Sequence, residues 1–281
     1  MNKALLIGVN KYPPQYPSLR GCINDVMGIR DVLLKFYGFE ESNISVLMDD
    51  RATTDGILDR LKFLVQDVKP GDKIVMSFSG HGSQVVDKIN NIANNHMDEI
   101  ICPSDLNFDN GNFITQDDIA SIFKTIPDDI ENKVTFDVIM DACHSGMGDR
   151  EIFALSSLSE QNDFKPRFLQ PPLDIKCRES RDLDSIKLLR DGSRQLLDPK
   201  NIQFSLFAAC KRNQTAADAY INGTYNGAFS FYFCKNIKES QGKILRSDLV
   251  KRINLDLQQN GYSQIAELDA PDLETKELFT E

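Results

Sequence analysis

Short apolar runs alternate along the chain with longer segments in which apolar residues recur at helical spacing. Runs that are apolar at nearly every position predict four buried strands, at 3–9, 43–49, 72–79 and 134–140. Helical spacing between these runs predicts three helices, at 22–37, 53–68 and 116–125. Strands that alternate with helices predict an α/β fold, with a mostly parallel central sheet flanked by helices on both faces.

Capping residues set the expected ends of these helices. Thr53 and Thr115 stand where N-cap residues are favoured, and Gly38 follows the first helix as a C′ glycine. Asn110-Gly111 is typical of a tight hairpin turn.

The pattern weakens after the fourth strand. Residues 147–200 have little periodicity and many charges of both signs, which is typical of a functional loop or a disordered segment. Order returns with a strand at 202–210, helices at 227–240 and 245–260, and a short strand within 263–268. We therefore predict one domain over 1–281, with a first part at 1–149, a mobile insert at 150–200 and a second part at 201–281.

Composition narrows the classes of function. The formal net charge of -10 argues against nucleic acid or an anionic membrane surface as the main partner. No apolar segment approaches the ~20 residues that span a bilayer, and no signal peptide is apparent. The six cysteines show no CxxC spacing and the three histidines are scattered, which favours reduced thiols in the cytoplasm over a zinc site. No organic cofactor is expected.

Two strands end in polar residues at the same spacing. The third strand leads into Ser79 and His81, and the fourth leads into Asp141 and Cys143. Side chains two apart on a strand share a face, and ligands of an open parallel sheet bind beyond the carboxyl ends of its strands. We therefore expect His81 to approach Cys143 from the neighbouring strand, whereas His144, the chain neighbour of Cys143, points elsewhere.

This pairing suits nucleophilic catalysis. A thiol with a pKa near 8.5 needs a base at neutral pH, and His81 could remove its proton and later protonate a leaving amine. The backbone N–H groups of Gly82 and Cys143 are candidates for binding the developing oxyanion, where one donor is worth roughly 3–4 kcal/mol.

The motifs SFSGHGS and DACHSG, in this order, resemble the histidine and cysteine motifs of metacaspases, within the caspase-like cysteine peptidases. The resemblance extends to ALLIGVNKY, GCINDV, DEIICPSD and FAACKRNQTAADA and leaves out only the 150–200 insert. It implies a caspase-like fold and a monomeric peptidase acting on peptides or proteins. True caspases differ in having Gln-Ala-Cys, where this chain has Asp-Ala-Cys.

The resemblance also implies a pocket for the residue before the cut, the P1 residue. Asp141 and Asp25 would hold it, and Cys22 and Ser79 would line the pocket. Two convergent carboxylates favour a guanidinium and admit an ammonium, so cleavage after Arg or Lys is expected.

A calcium requirement is a further implication of the resemblance. The positions that match the family's acidic cluster are Asp98, Asp117, Asp118 and Asp149. Carboxylates suit calcium, although Asp117 and Asp118 could equally be acids in the first turn of a helix.

The insert could be the site of self-cleavage. It carries nine lysines and arginines between 165 and 200, and it lies where caspase-like enzymes are cut. A plain solvated loop would have the same composition, and the sequence selects no single site.

Two other classes of function remain open. A catalytically silent caspase-like module would act through protein interactions, and a thiol hydrolase would cleave small esters or amides. Retention of His81 and Cys143 counts against the first, and the paired carboxylates count against the second.

Overall fold

A six-stranded sheet forms the centre of the computed structural model, which describes residues 1–86, 97–126, 134–143, 164–172, 203–212, 214–270 and 273–279. Its strands are β1 (Asn2–Gly8), β2 (Ile44–Met48), β3 (Lys73–Ser79), β7 (Thr135–Asp141), β9 (Gln203–Ala208) and β12 (Glu267–Asp269). From one edge to the other they have the order β12-β9-β7-β3-β1-β2. All neighbours pair in parallel except β12, which is antiparallel to β9. The predicted α/β class and mostly parallel sheet are confirmed.

Five helices lie within a few residues of their predicted positions. They are α1 (Cys22–Phe36), α2 (Thr54–Val65), α3 (Gln116–Phe123), α4 (Ala228–Glu239) and α5 (Arg246–Gln259). The Thr53 hydroxyl accepts from Gly56 N, and Thr115 forms a capping box at α3. Gly38, at φ +68°, lies just beyond α1 in a conformation that only glycine adopts readily.

Two small sheets stand beside the central one and were not predicted as such. One joins β4 (Gly82–Val86), β5 (Met97–Ile101) and β6 (Ile114–Thr115), all antiparallel. The other joins β8 (Phe164–Pro166), β10 (Ala217–Ile221) and β11 (Thr224–Gly227), also antiparallel. The sequence pattern predicts no strand between 150 and 200, and this is wrong at 164–166, because β8 pairs with β10 there.

The core is divided by the sheet into two apolar clusters. One contains α2 and α3 residues such as Leu61 and Phe123, and the other contains α1, α4 and α5 residues such as Phe233. Arg246 and Asp137 form a fully buried ion pair, with Arg246 Nε 2.9 Å from Asp137 Oδ1. Across the described ranges, no helix is both long enough and apolar enough to cross a membrane.

Candidate active site

The ends of β3 and β7 bring the two predicted polar pairs together. Ser79 pairs with Asp141 in the register of these neighbouring strands, and Gly80 N donates to Asp141 O at 3.3 Å. His81 and Cys143 each follow two residues later, so both begin the loops at the carboxyl edge of the sheet. This edge is where an open parallel sheet binds its ligands.

His81 is fixed by its surroundings in one tautomer. Its Nε2 lies 2.9 Å from the carbonyl oxygen of Pro17, so Nε2 carries the proton and Nδ1 is the basic nitrogen. Nδ1 is buried and has no hydrogen-bond partner among the described residues. Burial lowers the pKa of His81 to about 4, so the imidazole is neutral at physiological pH.

Cys143 is fully buried beside a loop that precedes β10. Its sulfur accepts a hydrogen bond from Ala216 N. Burial raises the pKa of the Cys143 thiol, and the neighbouring Cys210 raises it further. No hydrogen bond joins Cys143 to His81 in this arrangement, since the thiol is engaged with Ala216 and the imidazole with Pro17.

The side chain of Arg167 fills the space between the predicted acidic residues. Arg167 is completely buried. Its Nη2 lies 2.7 Å from Asp25 Oδ2 and 3.0 Å from Asp218 Oδ1, and its Nη1 lies 2.7 Å from the Ser79 hydroxyl. Asp141 adds an ion pair at 3.2 Å. We call Asp25, Asp141 and Asp218 the acidic pocket.

Two of these carboxylates also complete the start of α4. Gly227 N donates to Asp25 Oδ1 at 2.9 Å, and Ser230 N donates to Asp141 Oδ2 at 2.9 Å. The first turn of a helix has N–H groups without partners in the helix, and its positive dipole end favours anions. The start of α4 therefore helps to hold the two carboxylates in place beside Arg167.

Asp218 was missed in the sequence, although it is the third member of the pocket. It lies on β10 and accepts from Arg20 N and Gly21 N, both at 2.8 Å. The only sequence signal was its place within FAACKRNQTAADA, a stretch that resembles metacaspases. Asp218 can be assigned to the pocket only when it is known that the loop before α1 lies against β10.

The backbone of Arg167 is held as firmly as its side chain. Its carbonyl oxygen accepts from Gly82 N at 3.1 Å and from Cys143 N at 3.2 Å, the two N–H groups predicted to bind an oxyanion. Its own N–H donates to Ala216 O at 3.0 Å, continuing the pairing of β8 with β10. The carbonyl of Arg167 therefore lies directly beside the backbone of Cys143.

Protonation of the acidic pocket is set by the balance of its charges. Three buried carboxylates face one guanidinium, so the group is short of positive charge. Burial raises the pKa of Asp25 to about 7, with the Arg167 charge lowering it and Asp141 raising it. Although burial opposes it, the carboxylates raise the pKa of Arg167, which stays charged.

Two glycines leave room for this arrangement. A Cβ on Gly82 would lie 2.0 Å from Cys143 O, and one on Gly227 would lie 2.5 Å from Arg167 Nη1. Any side chain at these positions would displace the N–H pair or fill the acidic pocket.

Residues 2–148, which contain His81 and Cys143, match the family model described as metacaspase, peptidase C14 domain. The chain belongs to the metacaspase family. The resemblance stated from the motifs is thereby confirmed.

Individual metacaspases match over different shares of the chain. Metacaspase-1 of Eremothecium gossypii is 31% identical over 260 residues, which are 83% of this chain and 56% of that protein. Metacaspase-6 of Arabidopsis thaliana is 38% identical over 149 residues, which are 51% of this chain and 38% of that protein. The chain thus spans little more than half of the first relative's length and less than half of the second's.

One solved structure matches nearly end to end. Protein GSU0716 from Geobacter sulfurreducens superposes with a TM-score of 0.68, covering 99% of this chain and 98% of that one. The two sequences are 21% identical, so the comparison bears on the fold alone.

The structure brings the residues of the predicted metacaspase pocket together. Asp25, Ser79 and Asp141 all contact Arg167, and Cys22 lies buried at the start of α1 next to them. Arg167 lowers the pKa of the Cys22 thiol, though burial dominates and raises it. His144 lies outside the described residues, so its expected orientation stays a prediction.

The predicted calcium ligands are not brought together to the same degree. Asp118 Oδ2 accepts from Thr115 N and Thr115 Oγ1, both at 2.8 Å, so this carboxylate serves the cap of α3. Asp98 lies on β5, Asp117 lies beside Asp118, and Asp149 lies outside the described residues. In the part of the chain that is described, no three acidic, histidine or cysteine side chains form a metal-binding group. The described residues therefore do not by themselves form a calcium site.

Proposed function

We propose that this metacaspase is a cysteine endopeptidase that cleaves after Arg or Lys, and that one of its substrates is its own Arg167–Phe168 bond. The observation that carries this proposal is the position of Arg167. Its side chain fills the acidic pocket, while its carbonyl oxygen accepts hydrogen bonds from the N–H groups of Gly82 and Cys143. A peptide bond held in this way is placed as a substrate is placed before attack.

The residues at the site can carry out each step of thiol-dependent cleavage. The Cys143 thiol would lose its proton to His81 Nδ1, and its sulfur would form a bond to the carbonyl carbon of Arg167. The N–H groups of Gly82 and Cys143 would stabilise the resulting oxyanion. Protonation of the Phe168 nitrogen by His81 would release the new amino terminus, and water would then hydrolyse the thioester to free the Arg167 carboxylate.

Before these steps the Cys143 side chain has to leave Ala216 N. A buried thiol with a raised pKa is a poor nucleophile, and the sulfur here accepts a hydrogen bond from Ala216 N and makes none with His81. The described arrangement is therefore a resting state, and a small shift of the β9–β10 loop would release the thiol toward Nδ1.

The acidic pocket supports a preference for Arg over Lys. The guanidinium of Arg167 reaches Asp25, Asp218 and Ser79 through two separate nitrogens. A lysine ammonium is a single point of charge and cannot make both sets of contacts at once. Lys should therefore be accepted in the pocket but held less well.

Mapping new chain ends is the direct test of self-cleavage. Incubation of the whole protein should produce one fragment that ends at Arg167 and another that begins at Phe168, identified by intact-mass measurement. We also expect calcium to accelerate this cut, as the resemblance to metacaspases implies. Cleavage only at other basic residues of 150–200 would contradict the assignment of Arg167, and equal rates in calcium and in chelator would contradict the calcium prediction.

The raised pKa of Asp25 predicts a pH dependence of substrate binding. An arginine cation is held better when Asp25 is ionised, so the KM for arginyl peptides should fall as pH rises through about 7. The Asp25→Asn variant should have a higher KM that changes little between about pH 6 and pH 8. Steady-state kinetics of both proteins across this range would test the prediction.

Stability should change with pH in the opposite sense, which separates the two effects. A carboxyl whose pKa is raised on folding contributes stability that is present below its unfolded pKa, about 4, and lost as pH rises through about 7. A KM that rises in step with falling stability would show that unfolding, and not ionisation of Asp25, controls the kinetics.

A further inference from the structure

The chain beyond the Arg167–Phe168 bond is bound to the edge of β4. Leu169 N donates to Gly82 O at 2.9 Å, and the Ser83 hydroxyl donates to Leu169 O at 2.6 Å. Together with the bond from Gly82 N to Arg167 O, these contacts pair residues 167–169 in parallel with the start of β4. Main-chain pairing of this kind is how extended peptides add to an exposed sheet edge.

Burial alternates along this bound segment. Leu169 is only 4% exposed and belongs to the same apolar cluster as Val85 and Ala142, whereas Phe168 is half-buried and Gln170 is exposed. A strand that lies on a surface directs alternate side chains toward it, so Leu169 is the side chain that this surface accommodates. Gly82 and Ser83, which hold the backbone of Leu169, directly follow His81.

Ser83 is committed to this contact. Its side chain is completely buried and donates to the carbonyl oxygen of Leu169, a residue from a different segment 86 positions away. A buried hydroxyl without a partner costs free energy. Any residue that takes the place of Leu169 therefore has to offer its backbone carbonyl to the Ser83 hydroxyl. Any extended peptide would supply that carbonyl, whatever its side chains.

We propose that β4 and Ser83 form a second recognition site, which selects an apolar residue at the second position after the cut. This inference rests on the proposed cleavage after Arg167. Its substrates are then peptides with a basic residue followed, after one intervening residue of looser requirement, by leucine or a side chain of similar size and apolarity. The acidic pocket and this site, called here the Leu169 site, lie on opposite sides of the bond that is cut.

Octapeptides with the sequence of residues 164–171, FKPRFLQP, allow the test in trans. The enzyme is the full-length protein after it has cut itself, and the measurement is kcat/KM by chromatography of the products. Replacing the peptide's leucine by aspartate should lower kcat/KM at least ~10-fold. Losing a single methylene from an apolar pocket already lowers kcat/KM by about this factor, and the buried charge of aspartate lowers it further. Replacing the neighbouring glutamine by aspartate adds the same charge at an exposed position and should lower kcat/KM much less than the change at leucine does.

The outcomes separate the two proposals. If the two aspartate peptides are cleaved with equal kcat/KM, the Leu169 site is wrong while the proposed function stands. If FKPRFLQP is not cleaved, or if the peptide FKPQFLQP is cleaved equally well, the proposed function itself is wrong. A Ser83→Ala enzyme adds a readout on the protein side, because its kcat/KM for FKPRFLQP should fall while the ratio between the leucine and aspartate peptides is retained.

Discussion

A Cys143→Ala protein is expected to remain uncut on incubation with calcium and to lose at least ~10⁴-fold of its kcat/KM on arginyl peptides. Alanine has no atom that can form the thioester, so neither His81 nor the two N–H groups can compensate. The contacts that hold Arg167 come from backbone groups and carboxylates that the substitution leaves in place. The variant should therefore preserve the bound Arg167 segment and make it available to crystallography.

The matched control is Cys234→Ala. Cys234 is another buried free cysteine, placed on α4 and packed against Gly28 of α1. Its truncation should cost stability, as the loss of a buried side chain does, yet leave self-cleavage intact. A Cys143→Ala protein that still cuts itself after Arg167 would remove Cys143 from the mechanism.

The sequence determined the framework of the site because its determinants are local. Apolar runs placed β3 and β7, and the identical spacing of Ser79 to His81 and of Asp141 to Cys143 put both pairs at the same sheet edge. Strand pairing in register then brought Gly82 and Cys143 together, as expected for two loops that leave neighbouring strands.

Arg167 could not be found in this way because its role depends on contacts distant in the chain. The segment around β8 is short, contains Pro166 and has no alternation of its own, so nothing in its pattern predicts a strand. It becomes one only by pairing with β10, and β10 itself escaped prediction. The nine basic residues between 165 and 200 were equally plausible as cleavage sites until one of them was seen in the acidic pocket.

The buried charges at the site also explain why the pocket needs an occupant. Asp25, Asp141 and Asp218 are each almost completely buried, and burying an unpaired carboxylate is costly. Arg167 supplies the compensating charge in the uncut chain. A substrate arginine could supply it once cleavage has let Arg167 leave the pocket, so the same carboxylates would serve first the chain itself and then other peptides.

An Arg167→Gln protein should therefore cut itself at this position about 100- to 4,000-fold more slowly than the wild type. Removing one partner of a buried ion pair costs roughly 3–5 kcal/mol, and each 1.4 kcal/mol corresponds to a factor of ten. The Arg167→Lys protein should still be cut, at an intermediate rate, because the ammonium keeps the charge but loses the second set of contacts. Lys165→Gln is the control, since Lys165 lies two residues away and its amine donates to Ser18 O at an exposed position.

The same Arg167→Gln protein should differ from the wild type in a second way, which would not be expected if Arg167 only supported the fold. Its acidic pocket is no longer filled by the chain's own cation, so it should cleave arginyl peptides from the first minutes of an assay, without the lag that we expect the proposed self-cleavage to cause in the wild type. Agmatine, a small guanidinium compound, should raise the Tm of this variant more than that of the uncut wild type, because a ligand stabilises only the protein whose site it can enter. An Arg167→Gln protein that shows neither early activity nor stabilisation by agmatine would indicate that Arg167 only supports the fold, and that the acidic pocket does not receive substrates.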